Sequence, residues 1–167
     1  LVALTDRIIV AWEDRRPGHT IIMAAQSDSQ KPCAFIPPQR VNKRLTPRTP
    51  RPKSERQRRP QFGKGSGVAR VALAQYGNGQ VLATWADKRD FREGYDIYAA
   101  HAQPTHTQAN SKLSVFGVNS RVQDSFGGVA QQWHATATGD ASGRLVVAWD
   151  DKRDGDANIM LSWWEGE

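Results

Sequence analysis

One short pattern is written three times along this chain. Trp12, Trp85 and Trp149 each open WxDxR, so Asp14, Asp87 and Asp151 fall in register, as do Arg16, Arg89 and Arg153. Aliphatic or β-branched runs stand before each Trp: Ile8-Ile9-Val10-Ala11, Val81-Leu82-Ala83-Thr84 and Leu145-Val146-Val147-Ala148. These are strand signals. After a short turn a second apolar run follows, at 20–25, 96–100 and 158–162, so each copy predicts a hairpin. A further short segment precedes each first run, at 2–4, 71–74 and 134–138. Asn78-Gly79 and Ser142-Gly143 supply the positive φ that tight hairpin turns need. Arg40-Val41-Asn42 and its echo Arg121-Val122-Gln123 suggest a fourth strand. No segment carries a sustained 3.6-residue apolar period, and the chain reads as nearly all β.

Alternation explains the spacing within the motif. Residues two apart on a strand share a face, which puts Val147, Trp149, Asp151 and Arg153 on one side. The indole then fills the gap between neighbouring sheets, and at the strand end the carboxylate accepts turn amides while the guanidinium bonds to it or lies against an aromatic ring. The motif reads as architecture and not as a catalytic site. Four short antiparallel strands repeated in fixed order are the signature of a β-propeller blade. The expected fold is all-β, a partial β-propeller of about three four-stranded antiparallel blades at 1–42, 65–123 and 124–167, with 43–64 an inserted loop. Three blades leave two open faces and unpaired strand edges. The expected partner is another protein chain, or a second copy of this one, completing the propeller.

The charge is concentrated in one place. Of a net +6, the window from Arg40 to Lys64 carries +9, with ten Lys or Arg against Glu55, and the rest sums to −3. Its prolines exclude helix and central strand. Arg44, Arg48, Arg51, Arg56, Arg58 and Arg59 are the candidate contacts to an acidic partner surface. No aromatic side chain is interleaved among these arginines, which argues against nucleic acid. No run reaches the roughly 18 apolar residues of a membrane helix, and the single Cys33 excludes an internal disulfide and a Cys-rich zinc site. The opening LVALTDRIIVAW reads as mid-domain sequence and not as a signal peptide, so the chain is expected to be a processed piece or a fragment.

Other chemistry finds little support. Asp150, Asp151, Asp154 and Asp156 crowd together, but their order departs from a calcium loop and Asp is a common turn residue, so no metal site is expected. His19, His101, His106 and His134 lack ligand spacing and read as rim histidines. There is no GxSxG elbow, and Gly63-Lys64-Gly65-Ser66-Gly67 lacks the context of a phosphate loop. No cofactor and no catalytic residue is expected.

The runs VVAWDDKRDGDANIMLSWW and VLATWADKRDFREGYDIYAAHA, with AQQWHATATGDASGR before the first, resemble the repeats of sialidase-like (BNR-type) six-bladed β-propellers. The likeness covers nearly all of the chain outside about 43–64. It implies a propeller, often glycan-associated, and an extracytoplasmic location. The chain departs from that family at its Asp-box, SxDxGxxW, of which Ser27-Asp28-Ser29-Gln30 is only a trace. Phe35-Ile36-Pro37 is similar to a first-blade motif but lacks its arginine. The arginine triad, Tyr/Glu pair and acid Asp of an active sialidase are not supplied as a set. The resemblance therefore implies a noncatalytic binding or scaffold subunit, contacting a protein or other acidic partner within a larger assembly. The alternatives are a sialidase-type exo-glycosidase, or a glycan-binding lectin using Trp133, Trp163 and Trp164, whose remaining blades lie outside this chain. Packing between blades is the expected role of those three indoles.

Overall fold

The computed structural model describes residues 1–28, 31, 33–43, 67–89, 94–106, 112–122 and 131–165. Among them there is no helix, and every regular element is a strand of an antiparallel sheet. Sheet 1 runs in the order β1 (Val2–Ala3), β2 (Ile8–Asp14), β3 (Ile21–Gln26), β4 (Gln39–Arg40). Sheet 2 follows with β5 (Val68–Tyr76), β6 (Gln80–Asp87), β7 (Asp96–His106), β8 (Lys112–Arg121). Sheet 3 holds β9 (Gln132–Gly139), β10 (Leu145–Asp151) and β11 (Asn158–Trp164). Each is a meander, as hairpins joined in series must be. The turns that join β5 to β6 and β9 to β10 contain Gly79 at φ +84° and Gly143 at φ +94°, the left-handed region that glycine enters without strain.

Two expectations need correction. The third sheet has three strands among the described residues, not four. The fourth strand of sheet 1 is Gln39–Arg40, one residue earlier than Arg40-Val41-Asn42, and that of sheet 2 is far longer than its echo. The echo is nonetheless real in hydrogen bonding: the Val41 amide donates to Ile22 O (2.8 Å) and the Val122 amide to Ile97 O (2.9 Å).

The sheets stack in chain order. One apolar cluster sits between sheets 1 and 2, joining Ile9, Ile22, Ala24 and Val41 to Val81, Ala83, Trp85 and Phe116. The other sits between sheets 2 and 3, joining Leu82, Ala86, Ile97 and Ala99 to Leu145, Val147 and Trp149. Strand β6 feeds both, with Val81, Ala83 and Trp85 on one face and Leu82 and Ala86 on the other. It is accordingly buried from Val81 to Asp87. Its sequence VLATWAD is nearly unbroken in apolar character because neither face meets water. The corresponding β10 alternates, with Leu145, Val147, Trp149 and Asp151 buried and Val146 exposed, because only one of its faces is covered.

Trp85 and Trp149 are the fully or almost fully enclosed indoles at the two junctions. Replacing either with Ala is expected to cost about 3–5 kcal/mol in urea unfolding. A loss below about 1 kcal/mol at either position would mean that the sheets do not pack as described.

Candidate functional site

The repeated motif forms a clasp whose parts meet as the alternation requires. In sheet 2 the Trp85 indole Nε1–H donates to Asp87 Oδ2 (2.9 Å), and Arg89 Nη2 donates to the same oxygen (2.5 Å). In sheet 3 the Trp149 indole donates to Asp151 Oδ2 (3.2 Å), the Arg153 amide to Oδ1 (2.9 Å), and the Arg153 guanidinium to Oδ2. Both carboxylates are buried. A buried carboxylate is costly without donors, and the Trp two residues before it and the Arg two residues after it meet Oδ2 of each, while Asp87 Oδ1 is left without a partner among the described residues.

Each clasp also reaches into the sheet before it. Arg89 lies over the Tyr98 ring, 3.8 Å from its centroid, and donates to Asn119 Oδ1 (3.3 Å) and to Lys43 O in sheet 1's terminal loop (3.5 Å). Asn119 in turn donates to Val41 O (3.0 Å). In sheet 3, Gln132 Nε2 donates to Asp151 Oδ2 (2.9 Å) while its Oε1 accepts the Ile97 amide of sheet 2 (3.3 Å). Asn119 and Gln132 were not singled out in the sequence. The available signal was a lone amide in each strand, and it becomes meaningful only once the register places it beside a clasp.

Sheet 1 holds the carboxylate–arginine half of the clasp, without the indole bond seen in the other two sheets. Asp14 accepts the Arg16 amide (2.9 Å) and its Nε and Nη2 groups (3.0 and 2.5 Å). The Arg16 side chain is 79% exposed, against 18% for Arg89 and 27% for Arg153. Trp12 was expected to fill a gap between sheets. It is instead half-buried on the outer face of sheet 1, because no sheet among the described residues lies on that side. Beside it is an open apolar groove of roughly 380 Å³ lined by Trp12, Val10, Phe35, Ile36, Pro37 and Pro38.

A second polar feature lies on the first strands of the sheets. Arg70 (φ 57°) and His134 (φ 55°) are the non-glycine residues with positive φ among those described, and each sits at a register shift of β5 or β9. Counting from the pairs Val68 with Asp87 and Gln132 with Asp151, both residues occupy the same place in the repeat. Such strain in a β-bulge re-aims a side chain, and both side chains are exposed. Each meets an acid, though from different places: Glu13 Oε1 of the preceding sheet accepts the Arg70 amide (2.6 Å), whereas Asp150 of the same sheet pairs with His134 Nδ1. His134 had been read as a rim histidine and Arg70 had drawn no notice, because left-handed backbone at Arg or His leaves no mark in sequence.

The remaining candidates divide. Arg44, Arg48, Arg51, Arg56, Arg58 and Arg59 lie outside the described residues. Asp150 and Asp151 face opposite sides of β10, and no group of three or more His, Cys, Asp or Glu side chains converges on a metal position among the described residues. Of the three lectin candidates, Trp133 rests on the Tyr95 ring (3.9 Å between centroids) and Trp164 meets His101 edge-on. Trp163 departs from the packing expected of it and is 67% exposed. Among the described residues no helix is long and apolar enough to cross a membrane. Comparison with known proteins found no matching family model, curated protein or solved structure.

The clasp carboxylates differ in how much they matter. Burial alone would raise the Asp151 pKa, but the Arg153 side chain and amide and the Trp149 indole hold it below the ordinary carboxylate range. The Arg16 side chain and amide lower Asp14 as well. Asp140, bonded by Ser142 and Arg144, is lowered to about 2. A carboxylate depressed on folding stabilises the fold above its unfolded pKa, and that contribution disappears as pH falls through the folded value. Stability is therefore expected to fall from about pH 4 downward. Asp151→Asn should cost about 1.5–3 kcal/mol at neutral pH and flatten that acid slope. Asp14→Asn should have a much smaller effect on both. Equal effects of the two substitutions in pH-resolved urea unfolding would remove the distinction between a covered clasp and a bare one.

Proposed function

We propose that the three sheets are consecutive blades of a sialidase-like β-propeller, and that the chain is a noncatalytic binding or scaffold subunit of a larger extracytoplasmic assembly. The observation that carries this reading is the use to which the repeated motif is put. Trp85, Asp87 and Arg89, and likewise Trp149, Asp151 and Arg153, bond to one another and lie at sheet junctions. Groups so committed hold sheets together and are not available to a substrate. The basic segment 43–64, rich in arginine and proline, is the proposed contact to an acidic protein surface.

The second reading, an exo-glycosidase of the sialidase type, has one observation in its favour: exposed Arg70 and His134 lie on first strands at one place in the repeat, and His134 pairs with Asp150 of the adjoining strand. A fluorogenic sialoside separates the two. No turnover above the blank is expected; turnover that Arg70→Ala or His134→Ala abolishes would replace the scaffold reading. For the basic segment, exchanging Arg48, Arg51, Arg56, Arg58 and Arg59 together for Gln should lower the salt needed for elution from a polyglutamate column. Unchanged elution would dismiss that segment as the contact.

A further inference from the structure

The two ends of the stack expose what its interior buries. Strand register makes Ile22, Ile97 and Ile159 equivalent, each opposite the residue after the motif Trp. Ala24, Ala99 and Leu161 are equivalent in the same way, as are Ile9, Leu82 and Val146. In sheets 1 and 2 all of these are buried, because the Trp face of the next sheet covers them. In sheet 3 they are bare: Ile159 is 69% and Leu161 57% exposed, with Trp163 beside them. At the opposite end, Trp12 and the Phe35–Pro38 groove form a Trp face that covers no other sheet among the described residues.

From these observations we infer that the bare face of sheet 3 is the seat for the Trp12 face of a second copy, and that two copies pair head to tail through two such contacts. The inference rests on the reading of the sheets as blades of a larger assembly, and it names the missing neighbour. Continuity with the existing junctions supports it. Both internal junctions place the Trp face of one sheet on the other face of the sheet before it, and the chain's two free faces are one of each kind. Arg16 stands where Arg89 stands when it reaches across to the carbonyl of Lys43. A Trp12-on-Trp12 contact would instead join two like faces and oppose two Arg16 side chains, an arrangement found at neither internal junction. A face that meets a different face is heterologous, and such contacts close only when the turn per copy allows.

The test uses the whole chain in sedimentation velocity and native mass spectrometry. The wild-type chain should reach twice its own mass as concentration rises and go no further. Leu161→Asp, at an exposed position, should remain at one copy, and so should Trp12→Asp. Phe35→Asp, also exposed, stands in at the groove if Trp12→Asp does not fold. The decisive arm is mixing: a head-face variant and Leu161→Asp each retain the face the other lacks, so together they should form a one-to-one pair. The pairing is overturned by a folded wild-type chain that stays at one copy, by growth without limit, or by a Leu161→Asp chain that still pairs with itself. A chain that stays single and shows no sialoside turnover would lose the pairing but keep the noncatalytic reading; turnover by a pair would do the reverse.

Discussion

The structure depends on a buried carboxylate that is met by the indole and the guanidinium of its own motif. Asp87 and Asp151 lie in the interior at the end of a strand, where an unpaired anion would be costly to desolvate. Pleating places the indole N–H two residues before on the same face, and the tight turn brings the guanidinium two residues after back to the same oxygen. Three side chains thereby solve one another's problem: the indole gains an acceptor, the arginine a fixed orientation, the carboxylate its donors. Because the Trp also projects out of the sheet, the electrostatic clasp and the apolar contact to the neighbouring sheet are set by the same short pattern.

Repetition then orders the molecule. Each sheet presents Trp on one face and aliphatic residues on the other, and both internal junctions place the Trp face of one sheet on the aliphatic face of the sheet before it. The amide straps, Asn119 at one junction and Gln132 at the other, connect the clasp to the backbone of the preceding sheet by different residues in different strands. The geometry repeats more closely than the sequence does. The first sheet, with its exposed Arg16 and half-buried Trp12, keeps only the Asp14–Arg16 part of the clasp, and the third leaves its opposite face exposed.

Much of this was readable in advance, for physical reasons that can be named. Hairpins follow from Asn78-Gly79 and Ser142-Gly143 between alternating runs, and the shared face of Trp, Asp and Arg follows from period-two geometry. The equivalence of Val41 and Val122 was visible as a short echo, although the strand bounds were not, because two residues of pairing carry almost no signal. What stayed hidden depends on tertiary register. The exposure of Trp12 and Trp163 reflects which sheet faces have neighbours, and nothing local to either residue encodes that. The bulges at Arg70 and His134 put non-glycine residues in a backbone region they seldom adopt, and propensity points away from such sites.

The central claim is that the Trp85 and Trp149 indoles are locked onto buried carboxylates at sheet junctions. Hydrogen exchange of the indole Nε1 protons, followed site by site by NMR, measures it most directly. The account predicts that both protons exchange only with global unfolding, and that Asp87→Asn and Asp151→Asn each release the indole of their own sheet. Exchange of either proton at the rate of free indole in the native protein would contradict it.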